Sequence, residues 1–261
     1  MTKMTYRKAH LVELLGKKGV LTVSDIAELY GISLPSVRRL CALLEKEKRA
    51  IRTHGGLRSI RATNASYNFE IIDAEYAKEK AAIAHYAVGL IKNQQSLFLE
   101  SGTTLKQFAI ALAEQLRTGK ISDVLIFTNS MANFEILQPV SKVILVGGFY
   151  RSERRDFCGL LSEKLIQSLN FDICFIGADG INIDSGLMAY DDETARFDEL
   201  LIRRSEKSIL LTNSEKFTKN SLISYCAVRD VSQIITDSKL PDSIRESYAA
   251  IGVPVTAVGN I

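Results

Sequence analysis

Residues 23–44 read VSDIAELYGISLPSVRRLCALL. Val23, Ile26, Ala27 and Tyr30 recur at helical spacing, Thr22 or Ser24 stands where an N-cap belongs, and Gly31 ends the run. Ser33 then opens another helix with Pro35 in its first turn, where the missing N–H removes no hydrogen bond. Val37, Leu40, Leu43 and Leu44 form that helix's buried face. Two helices joined only by Gly31-Ile32-Ser33 make a helix-turn-helix, whose second helix enters the major groove of DNA. Ser33, Ser36, Arg38 and Arg39 lie on the side it offers to bases and phosphates.

Upstream, Ala9, Leu11, Val12, Leu14 and Leu15 predict a first helix over 5–15, broken by Gly16 and Gly19. Downstream, AIRTHGGLRSIR (50–61) alternates on both sides of Gly55-Gly56 and reads as a hairpin wing. Arg52, His54, Gly55 and Arg58 make its tip, suited to a sugar-phosphate backbone or a minor groove. Charge agrees. Through Arg61 there are thirteen Lys or Arg against five acids, +8, and beyond it twenty against twenty-five, −5, so the net +3 of the 261 residues hides a cationic module on a mildly acidic body. Charge alone fits a basic surface without a partner equally well; the helix-turn-helix and wing decide for DNA.

With 46% hydrophobic and 24% charged residues, 16 Gly and 4 Pro, the chain excludes collagenous and disordered classes. No apolar run is long enough to span a membrane and MTKMTYRKAH leads into no apolar leader, so a cytoplasmic protein is expected. Cys41, Cys158, Cys174 and Cys226 form no CxxC pair and His10, His54 and His85 no cluster, so neither a metal nor a cofactor is expected.

Residues 61–76 (RATNASYNFEIIDAEY) are polar and aperiodic and read as a linker between a DNA-binding domain, 1–60, and a second domain, 77–261. The latter starts with a helix through Ile91, then the strand SLFLE, the loop Ser101-Gly102-Thr103-Thr104 and a helix from about Leu105 to Leu116. Further strand-like runs, VLIFTNS, KVILVGG, ICFIGADG, SILLTNS and QIITD, alternate with helical stretches and predict an α/β layer with a largely parallel sheet. Ligands bind at the carboxyl ends of such strands. Five ends carry small polar or glycine residues: Ser101 to Thr104, Thr128-Asn129-Ser130, Gly147-Gly148, Gly177 to Gly180 and Thr212-Asn213-Ser214. One such end merely turns the chain, whereas five in series point to a ligand. Backbone N–H groups, hydroxyls and a helix dipole converge at Ser101 to Thr104 as an anion cradle. Asp179 can accept hydrogen bonds from sugar hydroxyls, and Lys216 can pair with a phosphate.

These motifs, in this order, resemble the deoxyribose-operon repressor (DeoR) family of transcription regulators across nearly the whole chain. The carriers are Val23 to Leu44, Arg52-Thr53-His54-Gly55-Gly56, Ser101 to Thr104, Thr128 to Ser130, Gly147-Gly148 with Arg151, Gly177 to Ile181 and Ser214-Glu215-Lys216-Phe217. Departures are Leu40-Cys41 after the Arg-Arg pair, where the family has Asp-Leu, Glu100 for Asp, and Thr212-Asn213-Ser214 for Ala-Asp-Ser. The resemblance implies a winged helix-turn-helix followed by a larger α/β domain related to ribose-5-phosphate isomerase. It implies that Ser101, Gly102, Thr103 and Thr104 hold the phosphate of a phosphorylated sugar effector, with Asn129, Ser130, Gly147, Gly148, Arg151, Asp179 and Lys216 around it. The expected partners are double-stranded operator DNA and further copies of the chain, as a homodimer or homotetramer. Repression relieved by the effector is the leading expectation; activation or a non-phosphorylated ligand is the alternative. An isomerase using Asp179 or Glu193 as base is set aside, because Gly186-Leu187-Met188-Ala189-Tyr190 lacks the Lys-Gly-Gly run of such enzymes. Cys41 is read as a small core residue rather than a redox-sensitive thiol.

Overall fold

The computed structural model describes residues 3–18, 20–47, 49–53, 56–59 and 67–259, leaving aside the side chains of 3, 16–18, 20, 51–53 and 58–59. Two compact units emerge, Met1–Asn68 and Phe69–Ile261.

The first unit runs α1 (Lys3–Lys18), β1 (Val20–Thr22), α2 (Val23–Tyr30), α3 (Leu34–Lys46), β2 (Ala50–Thr53) and β3 (Gly56–Ser59). Thr22 caps α2 reciprocally with Asp25, through Thr22 N to Asp25 Oδ2 at 2.9 Å and Asp25 N to Thr22 Oγ1 at 3.1 Å. Gly31 adopts φ +56°, the left-handed conformation that ends α2 and turns the chain into α3. Leu11, Leu15, Ile26, Val37, Leu40, Cys41, Leu44 and Leu57 fill the core. The three strands pair antiparallel in the order β1-β3-β2. Gly56 permits this closeness, since a Cβ there would lie 2.1 Å from the Leu21 carbonyl oxygen. Three details differ from the sequence expectation. α1 continues past Gly16 to Lys18, the three-residue β1 is too short to show a period, and Cys41 takes the buried position assigned to Leu43.

The second unit begins inside the expected linker: Phe69–Ala74 form α4, with Phe69 buried. The pattern was missed because six residues cannot display a helical period. Then follow α5 (Ala77–Val88), β4 (Ser96–Leu99), α6 (Thr103–Arg117), β5 (Leu125–Thr128), α7 (Met131–Leu137), β6 (Val143–Leu145), β7 (Phe149–Arg151), β8 (Asp156–Cys158) and α8 (Leu160–Gln167). The chain continues through β9 (Phe171–Ile176), β10 (Gly180–Asn182), β11 (Gly186–Ala189), α9 (Asp192–Arg203), β12 (Ser205–Leu211), β13 (Ile223–Cys226), β14 (Gln233–Asp237), α10 (Asp242–Ala250) and β15 (Val255–Val258).

Seven strands form one parallel sheet in the order β15-β14-β12-β9-β4-β5-β6. Both faces are buried, which is why its strands read as continuous apolar runs. Alternate residues serve different cores: Phe98, Cys174 and Ile176 pack with Phe171 and Phe197 on one side, while Leu97, Leu99, Ile173 and Phe175 pack with Phe108 on the other. A small sheet, β10-β11-β13, and the hairpin β7-β8 complete the unit.

Candidate functional site

On α3 the helical period separates two faces. Val37, Leu40, Cys41 and Leu44 are buried, and Ser33, Ser36, Arg38 and Arg39 are exposed. Ser33 occupies the N-cap without capping through its side chain; its Oγ lies 3.0 Å from Ser36 Oγ instead. The structure therefore leaves two arginines and two hydroxyls free of the core on the second helix of the helix-turn-helix. Arg52 and Arg58 lie on β2 and β3, the two strands of the wing. His54 and Gly55 lie outside the described residues.

In the second unit the sheet winds outward in two directions. From β4 the chain adds β5 and β6 on one side, then returns to place β9, β12, β14 and β15 on the other. The loops that leave β4 and β9 meet at this switch point, the place where sheets of this kind carry a ligand crevice. Glu100-Ser101-Gly102 comes from β4 and Gly177-Ala178-Asp179 from β9, tied together by Gly177 N donating to Glu100 Oε2 at 3.3 Å. Gly102 has φ +125°, a conformation side chains rarely adopt, and no side chain caps α6 behind it. Thr103 and Thr104 are the first residues of α6 and are buried, so the sequence-based helix start at Leu105 was two residues late. The uncapped first turn of a fifteen-residue helix faces this crevice, with backbone donors and the positive end of the helix dipole.

Beneath the crevice runs a charged network with almost no access to water. Ser101 Oγ lies 2.7 Å from Glu100 Oε1 and 2.9 Å from Asp156 Oδ2. Arg151 holds Asp156 with two parallel bonds, Nε to Oδ1 at 2.8 Å and Nη2 to Oδ2 at 2.7 Å. It also donates to Asp191 Oδ1 at 2.8 Å and to Thr194 Oγ1 at 3.0 Å. Arg151 is 2% exposed, its guanidinium bonded to Asp156, Asp191 and Thr194. Arg154 bridges Asp179 Oδ2 at 3.1 Å and Asp191 Oδ2 at 3.2 Å. Burial works against ionisation of Asp191, but Arg154 and Arg151 outweigh it and hold the carboxyl below its usual range. At Glu100 burial, with the Asp156 charge adding to it, outweighs Ser101 and Arg154 and raises the carboxyl to about 8, so it stays protonated at neutral pH. Burial also pushes Asp198 up.

Asp179 accepts from Tyr190 N at 2.8 Å as well as from Arg154. Lys216 lies half-buried on the 3-10 turn Ser214–Thr218 after β12; burial lowers its pKa while the charge of Asp179 pulls it back. Lys80 is buried on α5, donates to the Ile72 carbonyl of α4 and is lowered by burial to about 8. Lys106, in the first turns of α6, pairs with Asp73 of α4. Other expected ligand contacts do structural work. Ser130 caps α7 by accepting from Asn133 N at 3.2 Å, and Asn129 Nδ2 donates to the Phe157 carbonyl at 3.1 Å. A Cβ on Gly148 would lie 2.5 Å from the Cys158 carbonyl oxygen, and Gly147 accepts from Ser162 Oγ at 2.9 Å, so this pair seats the β7-β8 hairpin on α8. Sequence reasoning missed Asp156, Arg154, Asp191, Lys80 and Lys106, none of which lies in a recognisable motif. Among the described residues no group of three His, Cys, Asp or Glu is placed to hold a metal ion, and no helix is long and apolar enough to cross a membrane.

Comparison with known proteins agrees with this division. The DeoR-like helix-turn-helix domain matches residues 7–63 and the DeoR C-terminal sensor domain residues 75–238. The putative aga operon transcriptional repressor of Escherichia coli O157:H7 is 30% identical, over 100% of this chain and 96% of its own. The L-fucose operon activator of Haemophilus influenzae is 28% identical (93% and 96%), and the glycerol-3-phosphate regulon repressor of Escherichia coli K12 is 26% identical (94% and 95%). Among solved structures, ribose-5-phosphate isomerase A of Methanocaldococcus jannaschii aligns over 52% of each chain at 16% identity, with a TM-score of 0.38.

Proposed function

This chain belongs to the DeoR family of transcriptional regulators, with a DNA-binding helix-turn-helix followed by a sensor domain, and from that premise we propose that it is a repressor of a sugar-metabolism operon, released from its operator by a phosphorylated sugar. The observation that carries this reading is the uncapped start of α6 behind Gly102 at the sheet's switch point. A phosphate there receives the first-turn N–H groups and the hydroxyls of Thr103 and Thr104, while Ser101 and the acids below fix the loop. Lys216, which feels the charge of Asp179, supplies a cation, and Asp179 accepts from a sugar hydroxyl. Keeping Glu100 protonated matters to such a site, because a second carboxylate beneath the cradle would repel the dianion.

Operator binding rests on Ser33, Ser36, Arg38 and Arg39 of α3 in a major groove, with the wing on the backbone. Two half-sites call for a homodimer or homotetramer. Release requires the effector to bind the DNA-incompetent state more tightly, so its coupling to DNA is reciprocal.

The test is a thermal-shift screen against sugar phosphates and their unphosphorylated parents, followed by operator release in a mobility-shift assay. A phosphorylated compound should raise the melting temperature and free the DNA, and Thr103→Ala with Thr104→Ala should lose both responses while still binding operator. Stabilisation by parent sugars alone, or a full response in the double variant, refutes the phosphate reading. The similarity to an operon activator supports a second reading, activation; an operator upstream of the promoter rather than over it would select it.

A further inference from the structure

Helix α4 is the first element of the sensor unit and follows directly on Asn68, the last residue of the DNA-binding unit. Six residues are too few to hold a helix by their own hydrogen bonds, so α4 persists through what it touches. At its start Phe69 N donates to the Glu153 carbonyl at 3.0 Å. The Arg155 guanidinium stands 5.9 Å from the centre of the Phe69 ring and 3.5 Å from Glu70 Oε1. Further along, α4 meets two lysines: the Ile72 carbonyl accepts from Lys80 Nζ, and Asp73 Oδ2 pairs with Lys106 Nζ.

Both lysines bear on the anion site. Lys106 lies three residues beyond Thr103, and its N–H closes the first turn of α6 on the Gly102 carbonyl. Helix side chains lean toward the N-terminus, so Lys106 reaches back to the end of α6 that carries the uncapped N–H groups. Lys80 feels the charge of Lys216 as well as that of Asp73. Asp73 is thus a carboxylate among the cations of the cradle, and its fit there is incomplete. Its Oδ1 is buried and finds no hydrogen-bond partner among the described residues, a cost that leaving the site removes. The pair with Lys106 keeps 24% and 17% of its side chains in water, so one anion can replace another there without unfolding the unit.

We propose that Asp73 is a built-in competitor for the effector's phosphate: in the empty sensor it neutralises Lys106, and a phosphate on the first turn of α6 takes that lysine over and frees α4. This rests on the phosphate reading of the loop at 101–104 given above. A phosphate monoester carries roughly −1.5 to −2 charge and three acceptor oxygens, against one charge and two oxygens on the carboxylate, so it wins the shared ammonium. With Asp73 displaced, nothing holds the Ile72 carbonyl against Lys80, and α4 keeps only its contacts with Glu153 and Arg155. Because Phe69 is bonded to Asn68, loosening α4 loosens the attachment of the DNA-binding unit, a route from effector to operator that leaves the buried network at rest.

Inorganic phosphate is the probe, titrated calorimetrically into the full chain at constant pH and ionic strength. Asp73→Asn keeps the shape and removes the competing charge, so phosphate affinity should rise roughly three- to tenfold, the range of a partly exposed ion pair. Glu75→Gln removes an acid just past α4 that makes no ion pair among the described residues, and should change affinity by less than about twofold. In the wild type, amide hydrogen exchange across residues 69–76 should quicken about fivefold or more at saturating phosphate, a readout that requires neither variant to fold. A ligand that merely bound beneath α4 would slow it. If phosphate binds and Thr103→Ala with Thr104→Ala abolishes that binding, yet α4 exchanges no faster or Asp73→Asn binds no tighter than Glu75→Gln, the competition is refuted and the phosphate site stands. If no chain binds phosphate, or the threonine pair makes no difference, the phosphate reading falls and the competition with it.

Discussion

Replacing Arg151 by Met gives the sharpest test of the network beneath the crevice. The change keeps most of the side-chain volume and removes two contacts to Asp156, one to Asp191 and one to Thr194. The two acids fare differently. Asp191 keeps Arg154 Nε at 3.2 Å and accepts from Thr194 N at 2.8 Å, whereas Asp156 is left with the hydroxyl of Ser101. Asp156 is 0% exposed, so one buried carboxylate loses its cation, a change that costs about 3–5 kcal/mol. Removing the cation's own desolvation offsets little, because the orphaned charge sets the cost. With a urea m-value of about 2–3 kcal/mol/M for a unit this size, the midpoint of its unfolding transition should fall by roughly 1–2 M. Circular dichroism at 222 nm follows that transition in a chain without tryptophan. Arg151→Met combined with Asp156→Leu removes the orphaned charge together with its partner and should recover most of the loss. A single variant within about 0.5 M of the wild type, or a double variant no better than the single one, refutes the argument that this ion pair is held by mutual need.

Glu100→Gln should match the wild type near pH 4, where Glu100 is protonated in both states, and be the more stable of the two near neutral pH. Because Glu100 binds a proton in the folded state up to about pH 8 but releases it in the unfolded chain near its ordinary 4.5, wild-type stability should decline as pH rises between those values, and the variant should lose that slope in urea titrations at stepped pH. Gly102→Ala meets no close neighbour but must hold φ +125°, so a loss of about 1–3 kcal/mol is expected in the same assay; an unchanged midpoint would mean the loop relaxes freely. Arg38→Ala and Arg39→Ala should each weaken operator binding, by about 1–3 kcal/mol for a base contact or evenly across sequences with a shallower salt slope for a phosphate contact. Mobility shifts at several salt concentrations separate the two, and full affinity in both variants would mean α3 docks by another face.

The helix-turn-helix was legible because its information is local. Val37, Leu40 and Leu44 fall on one stripe and Gly31 supplies the turn, with no need of distant residues. The parallel sheet was legible for a related reason, since strands buried on both faces read as apolar runs ending in glycine or hydroxyl residues. Short elements were not: β1, β7, β8 and α4 span too few residues to show a period, and their existence depends on packing against β3, α8 and α6. The crevice divides in the same way. Gly102 and Thr103 announce themselves as a loop before a helix, but the acids and arginines below them do not. Glu100 meets Gly177 across 77 positions and Arg151 meets Asp191 across 40, distances at which sequence spacing carries no signal. Their chemistry could be guessed residue by residue, while their pairing, which ties Arg151 to Asp156 and Asp191, arises only in the fold.

The strand order has a consequence for how the protein is made. β4 and β9 are neighbours in the sheet, yet β5, β6 and the hairpin are synthesised between them, and Lys216 follows only after β12. The DNA-binding unit, complete by Asn68, can fold while the ribosome is still far from these parts. A nascent chain therefore owns its reading head well before it owns an off-switch. Premature termination anywhere between β3 and β12 leaves a fragment able to present α3 and unable to assemble the crevice. Nonsense alleles in that interval should consequently leave a single reading head without an effector response, binding operator only as far as one half-site allows.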